Sequence, residues 1–191
     1  MSKPTSATRR KRPFRRLPRC RRGAVAIEFA FILPGLVLLT LGLLELTLIL
    51  FDYHRFSEAS RAGLRTALIE APVASLDNLN PDNTITCTGS GASVSCSGGP
   101  VGSASSWDII VARVQRTAGD VEASNLRLSY TESGVTDPSE VPGAVTPVVT
   151  LSLIDLEHDF FFLNYLPGVP DTLTYPDITT TGLGPTDIVP P

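Results

Sequence analysis

The chain has 191 residues and a formal net charge of −3, a length that suits one modest domain with accessory segments and excludes a large multidomain enzyme. The charge is uneven, because residues 1–23 contain ten Lys and Arg and no Asp or Glu, whereas residues 24–191 contain six Lys and Arg and all 19 Asp and Glu. The acidic remainder argues against a nucleic-acid surface there. The basic arm directly precedes a long apolar segment, where positive charge usually sets membrane orientation rather than nucleic-acid binding.

Residues 24–51 are predicted to form a transmembrane helix that follows a basic cytoplasmic leader at 1–23. Glu45 is the only ionisable residue from Phe29 to Phe51, and as a helix this run rises about 34 Å, enough to cross a bilayer core. The excess of Lys and Arg before the segment predicts a cytoplasmic N-terminus and an extracytoplasmic remainder. A cleaved secretory signal is the alternative, but its apolar region is usually only about 7–15 residues long and ends at small residues, which this run does not.

The three cysteines separate by predicted compartment. Cys20 lies on the cytoplasmic side and is expected to remain a thiol, whereas Cys87 and Cys96 lie outside, with Gly and Ser between them. An oxidising compartment favours a disulfide across a short hairpin. Such a bridge would stabilise the fold by about 2–3 kcal/mol in the chain-entropy model. The alternative, a metal-binding pair, lacks other ligands at suitable spacing.

The predicted fold class is α+β, with the transmembrane helix extending into an amphipathic stalk ahead of a small extracytoplasmic domain with antiparallel strands. Apolar residues at three- and four-residue steps predict that the helix continues over 52–70 and stops before a proline. The α+β domain is predicted at 71–166 and a Pro-rich flexible tail at 167–191. Within the domain the pattern predicts a hairpin or loop at 72–104, a helix from Ser105 or Ser106 to Gly119, strands at 125–131 and 146–156, and a packed core or subunit contact at 160–166.

Catalytic motifs are missing from the sequence, which has no G-x-S-x-G, H-E-x-x-H, phosphate-loop or dinucleotide-binding pattern. His54 lies just outside the predicted membrane segment, between Tyr53 and Arg55, where an interfacial polar residue is the ordinary explanation. His158 lies among Asp155, Glu157 and Asp159, so a cation site is an alternative to a solvated strand end. The sequence therefore predicts no enzymatic activity, no cofactor, no metal ion and no small-molecule substrate.

Gly23 and Glu28 form the one specific constellation. A protease that cuts after Gly23 would remove the ten basic residues and give Ala24 a free α-amine. Glu28 lies about one helical turn further on, and a carboxylate at membrane depth is costly unless it is paired. The new amine, of the same subunit or of a neighbour, is its natural partner. The alternative is an interfacial glutamate that reaches water and pairs with Arg21 or Arg22.

The combination of a basic leader, Gly-x4-Glu-Phe and a long apolar helix resembles the N-terminus of type IV prepilins and pseudopilins, which a membrane aspartyl prepilin peptidase cuts after the glycine. The stretch RRGAVAIEFAFILPGLVLLTLGLLEL at 21–46, with FSEASRAGLRTA at 56–67, is similar to the TadE-like proteins, which are pseudopilins of the tight-adherence (Flp) pilus system of bacteria. The matching features include the intramembrane acidic residue Glu45.

This resemblance covers about residues 20–70. It implies that Gly23 and Ala24 form the cleavage junction and that Glu28, followed by Phe29, governs processing or assembly. The function it implies is that of a minor pseudopilin in the assembly of a Flp-type IV pilus.

The expected location is the bacterial inner (cytoplasmic) membrane, as a single-pass protein with a cytoplasmic N-terminus, or the pilus itself. The expected partners are the prepilin peptidase, other pilins and pseudopilins, and the membrane, but no nucleic acid. The alternative function is that of an unprocessed membrane-anchored module whose outer domain binds an envelope component.

Overall fold

The computed structural model describes residues 21–77, 79–91, 93–134, 146–165 and 167–184. The leader up to residue 20, including Cys20, lies outside the described residues, as does most of the turn that the sequence predicts between the two long strands. The chain divides into two compact units, Met1–Thr40 and Leu41–Pro191.

The first unit holds the N-terminal part of helix α1 (Arg21–Ala67). The helix is long and apolar enough to cross a membrane, and its most apolar window is not buried by the rest of the structure. Pro34 lies inside it and removes one backbone hydrogen bond, a defect that membrane helices tolerate. The large apolar side chains of this part are all exposed: Val25, Ile27, Phe29, Phe31, Ile32, Leu33, Leu36, Val37, Leu38 and Leu39.

The second unit has the predicted α+β architecture, and it includes the C-terminal part of α1. Its described residues contain a second helix and seven strands: β1 (Thr84–Ser90), β2 (Ser93–Ser97), α2 (Ala104–Thr117), β3 (Leu126–Glu132), β4 (Pro147–Leu153), β5 (Glu157–Asp159), β6 (Thr172–Thr174) and β7 (Ile178–Leu183). Five strands form one antiparallel sheet in the order β2-β1-β3-β4-β7, and β5 pairs with β6 in a separate hairpin.

One face of the five-stranded sheet is apolar and the other is polar, because successive side chains in a strand point to opposite faces. In β3 the side chains of Leu126, Leu128 and Tyr130 are buried, whereas the alternate residues are at most half-buried. The same alternation runs through β4. The strand predictions at 125–131 and 146–156 are thus confirmed, although β4 ends at Leu153.

Two helices contribute side chains to the core on the apolar face of the five-stranded sheet. Ser103 caps α2 by accepting a hydrogen bond from the Ser106 N–H, two to three residues earlier than the sequence predicts. Trp107, Ile110 and Val114 are buried on one face of this helix. The C-terminal part of α1 buries four apolar residues: Phe56, Ala59, Leu64 and Ala67.

Gly63 allows α1 to approach both α2 and the sheet closely. A Cβ atom at this position would lie 2.5 Å from Val114 Cγ2 and 2.7 Å from Leu151 Cδ2. Nearby, Ser60 Oγ lies 2.9 Å from the Thr180 hydroxyl. Small residues in this stretch of α1 therefore serve helix packing rather than chemistry.

Cys87 and Cys96 are joined by the disulfide that the sequence predicts. The two residues face each other across the β1–β2 pair, and Cys87 is fully buried against the core. A bridge closing a loop of this size stabilises the fold by about 2–3 kcal/mol.

The prediction of a flexible tail at 167–191 is wrong for the residues that form β6 and β7. Strand β7 pairs with β4 along its whole length, from Leu153 opposite Ile178 to Val148 opposite Leu183. The composition of this segment gives only a weak preference for strand structure, and pairing with β4 compensates for that weak preference.

The described residues of the apolar segment, 160–165, are not part of the domain core, contrary to one of the two roles predicted for 160–166. The side chains of Phe161, Phe162 and Tyr165 are exposed. The turn that carries them connects β5 to β6, so the segment projects from the end of a hairpin instead of lying in the sheet. A contact with another molecule stays a prediction.

Tyr130 of β3 forms a hydrogen bond with the start of the domain, and its substitution should change how the stability of the fold depends on pH. Its hydroxyl accepts a hydrogen bond from the Val73 N–H at 3.1 Å, and burial raises the pKa of Tyr130 to about 12, which this hydrogen bond partly counteracts. Because the folded state favours the neutral phenol, Tyr130 makes its full contribution to the free energy of unfolding below about pH 10. This contribution is lost as the pH rises towards 12.

Tyr130→Phe is therefore expected to lower the free energy of unfolding at neutral pH by about 1–3 kcal/mol, since a buried N–H is left without a partner. The same substitution should weaken the alkaline loss of stability. Denaturant unfolding of both proteins from pH 7 to pH 12 measures both effects. Equal alkaline loss in the two proteins would show that Tyr130 does not titrate in this way.

Candidate functional site

The residues of the predicted processing site lie in the first turns of α1, in the first unit. Gly23 is exposed with open space around its Cα, and the side chains of Glu28 and Phe29 are also exposed; Ala24 lies in the helix. Among the side chains that the structure describes, none forms an ion pair or hydrogen bond with Glu28. The Glu28 side chain is therefore exposed on a part of α1 whose large apolar side chains are also exposed.

Glu45 has a different environment in the second unit, where its side chain is fully buried. Its Oε1 accepts a hydrogen bond from the Phe161 N–H at 2.6 Å, and its Oε2 accepts from the N–H groups of Phe162 at 2.8 Å and Leu163 at 3.4 Å. One carboxylate thus satisfies three consecutive backbone donors of the β5–β6 turn. Hydrogen bonds to a charged acceptor are stronger than those between neutral groups.

The β5–β6 hairpin lies along one face of α1 that begins at Glu45. The Tyr175 hydroxyl donates to the Ile49 carbonyl at 3.4 Å, and the Tyr175 ring packs edge-on against Phe56 with centroids 5.4 Å apart. Positions 45, 49, 52 and 56 recur at steps of four, three and four, so they share one helix face. This face holds the hairpin at several points along its length.

His158 completes the contact between the hairpin and α1. It is buried, its Nδ1 lies 3.3 Å from Asp52 Oδ2, and its Nε2 lies 3.8 Å from Glu45 Oε1. Within the described residues, Nε2 has no hydrogen-bond partner. The imidazole therefore lies between two carboxylates of α1.

The acidic neighbours of His158 in sequence are not its neighbours in space. Glu157 and Asp159 flank it in β5 and are exposed on the opposite face, and Asp155 is exposed in the turn before the strand. Strand alternation explains the separation, because adjacent side chains point in opposite directions. Across the part of the chain that the structure describes, no cluster of three His, Cys, Asp or Glu residues is suited to a metal ion.

Asp52 and Arg55 extend the charged network on the water-facing side of this contact. Arg55 forms ion pairs with Asp120 and, at 3.8 Å, with Asp52, and its guanidinium lies 5.7 Å from the centre of the Phe56 ring. Burial, and to a lesser extent the charge of Asp52, raises the pKa of Tyr175 to about 12, against the opposing effect of Arg55. The tyrosine is therefore a neutral hydrogen-bond donor at physiological pH.

The contacts of Glu45 and Asp52 hold the β5–β6 hairpin against α1. Glu45 accepts hydrogen bonds from backbone N–H groups of the hairpin and Asp52 lies beside His158, so both carboxylates join α1 to the hairpin. The pair between Asp52 and Arg55 lies within α1. Sequence reasoning treated Glu45 only as an acidic residue within the apolar run. The signal that could have revealed more is the seven-residue interval from Glu45 to Asp52, which places both carboxylates on the helix face that Phe56 continues.

The N-terminal part of the chain resembles a known family in its sequence, and comparison with family models tests that resemblance. Residues 23–65 match the model of the TadE-like proteins. We call residues 23–65 the TadE-like segment. The match confirms the predicted resemblance for this segment, which is less than a quarter of the chain. No curated protein and no solved structure significantly matches the chain.

The TadE-like segment contains the predicted processing site and the α1 residues of the Glu45 site. It begins at Gly23, includes Glu28, and continues through Glu45 and Asp52 to the close packing position Gly63. The domain that packs on the C-terminal part of α1 lies beyond the segment. The family relationship therefore applies to the helix, whereas the domain is described by its own structure.

Proposed function

We propose that this chain is a minor pseudopilin of the Tad (Flp) pilus, anchored by α1 in the bacterial inner membrane with its N-terminus in the cytoplasm. A prepilin peptidase cuts it between Gly23 and Ala24, and the second unit faces the extracytoplasmic side. The mature protein acts with other pilins and pseudopilins in assembling the pilus. It is a substrate of an enzyme, and it works through protein contacts.

The observation that carries this proposal is that the TadE-like helix also builds the folded domain. Its apolar side chains are exposed, as a membrane anchor requires, yet Glu45 and Phe56 hold the β5–β6 hairpin and Ala59 and Leu64 lie in the core. Removal of the apolar run as a secretory signal would remove Glu45 and leave three N–H groups of the hairpin turn without an acceptor. This supports a helix that stays with the domain.

The exposure of Glu28 supports a role in assembly. A carboxylate on a lipid-facing helix is unfavourable unless a partner neutralises it, and the α-amine that cleavage would create at Ala24 lies about one turn away along the helix. When that amine belongs to a neighbouring subunit, the pair fixes the axial position of one helix against the next. The leader is removed first because only then does this amine exist.

Substitution of Glu28 tests the proposal. Glu28→Ala is expected to abolish or strongly reduce pili counted by electron microscopy, while the domain keeps its disulfide and its resistance to proteolysis. Glu58→Ala is the matched control, since Glu58 is exposed on the same helix and pairs only with Arg61 at 3.2 Å among the described residues. Normal piliation with Glu28→Ala would favour the unprocessed membrane-anchored binding module instead.

A further inference from the structure

The loop at 160–165, which we call the aromatic loop, exposes an unusual group of side chains. Phe161 is 63% exposed, Phe162 is 42% exposed and Tyr165 is 84% exposed. No charged residue occurs between Asp159 and Asp171. Apolar side chains concentrated in one uncharged loop indicate a contact surface rather than a surface that faces water.

The attachment to Glu45 sets the level of the aromatic loop along α1. A bilayer core takes about 20 helical residues, so a span that begins at Phe29 ends near Leu48. The Glu45 carboxylate holds the N–H groups of the loop within this last part of the span. Around the same level, α1 exposes Leu43, Leu44, Leu46 and Leu48.

The backbone N–H groups at the start of the aromatic loop have hydrogen-bond acceptors within the protein. Glu45 accepts from the N–H groups of Phe161, Phe162 and Leu163, and the Phe160 N–H donates to the Asp171 carbonyl at 3.1 Å. Four consecutive backbone donors are therefore satisfied within the protein, as irregular backbone near lipid requires. The charge of Glu45 itself is hidden from the surface.

We propose that the aromatic loop enters the extracytoplasmic leaflet of the bilayer that α1 crosses, with Phe161, Phe162 and Tyr165 in contact with lipid. The proposal rests on the membrane span of the proposed function. Aromatic side chains concentrate at membrane interfaces, where a ring can enter the apolar region while a tyrosine hydroxyl stays hydrated. Three side chains are also too few for a stable interface between proteins, which buries about 1,200 Å² or more.

In this arrangement the loop gives the protein a second membrane contact beside the helix. The hairpin ties the loop to α1, and the loop fixes the rotation of α1 about its axis relative to the membrane surface.

Tryptophan fluorescence in the full-length protein, reconstituted into phosphatidylcholine vesicles, tests the proposal. Phe161→Trp and Tyr165→Trp place probes in the loop, Leu39→Trp places one in the span, and Ile69→Trp places one at an exposed position beyond the end of α1. The wild type supplies the background, because its single tryptophan, Trp107, is buried. Each protein is measured with brominated phosphatidylcholine and, separately, with iodide in the water.

The proposal predicts that brominated lipid removes most of the added emission of Phe161→Trp and Leu39→Trp, whereas iodide quenches Ile69→Trp. Loop probes that iodide quenches and brominated lipid does not would overturn the proposal while Leu39→Trp still reports the span. The proposal would also be overturned if neither quencher reached the loop probes and this shielding decreased as the protein was diluted in lipid. That result would show that the loop contacts a second copy of the chain. An unquenched Leu39→Trp would reject the span and the loop contact together.

Discussion

Glu45→Ala is expected to accelerate amide hydrogen exchange at residues 161–163 by about a hundredfold or more, with a smaller effect on the five-stranded sheet. The substitution removes the acceptor of three backbone hydrogen bonds, and each buried donor left unsatisfied costs about 1–3 kcal/mol. A loss of about 3 kcal/mol corresponds to roughly a hundredfold change in local opening. Hydrogen exchange followed by mass spectrometry, on protein in detergent or nanodiscs, measures it.

Two further variants separate the hydrogen bonds from a general weakening of α1. Glu45→Gln keeps one acceptor oxygen and is expected to give an intermediate rate. Glu58→Ala removes an exposed carboxylate from the same helix and should leave the exchange of the loop unchanged. Slow exchange at 161–163 in Glu45→Ala would show that the loop is held by other contacts.

Gly63→Ala is expected to destabilise the domain by about 1–3 kcal/mol relative to Gly42→Ala, the range found when extra carbon is forced into a packed core. The new methyl group would lie 2.5 Å from Val114 Cγ2 and 2.7 Å from Leu151 Cδ2, and both of these side chains are fully buried. Either the helix must shift or the two side chains must leave their positions.

Gly42→Ala is the matched control for this comparison. It makes the same change in the same helix at a position where nothing lies within 4 Å of the new atom. Both variants gain the roughly 1 kcal/mol by which alanine exceeds glycine in helix preference, so this gain largely cancels in the difference. Thermal unfolding of the two proteins in the same detergent measures it, and equal midpoints would contradict the close packing at Gly63.

The elements with strong local patterns were predictable from the sequence. The long apolar run of α1, the alternation of β3 and β4, and the apolar face of α2 each follow from residues near in sequence. The disulfide was predictable because Gly and Ser between Cys87 and Cys96 favour a short turn, and the structure places the two cysteines opposite each other.

The hairpin, strand β7 and the contacts of Glu45 were not predictable in the same way. Strands β5 and β6 have three residues each, too few to show a period. Glu45 and Phe161 are 116 residues apart, so only the tertiary fold brings them together. The structure explains the small residues in the stretch at 56–67 that resembles the TadE-like proteins. Ala59, Ser60 and Gly63 form the surface on which the domain packs.

The proposed function requires that α1 stays with the domain as a membrane anchor after the leader has been cut off. N-terminal sequencing of the protein purified from membranes, with and without an active prepilin peptidase, tests this requirement. The predicted result is a mature chain that starts at Ala24 when the peptidase is active and at Met1 when it is not. A chain that starts at Met1 in both strains would contradict processing, and a chain that starts beyond Phe51 would contradict the anchor itself.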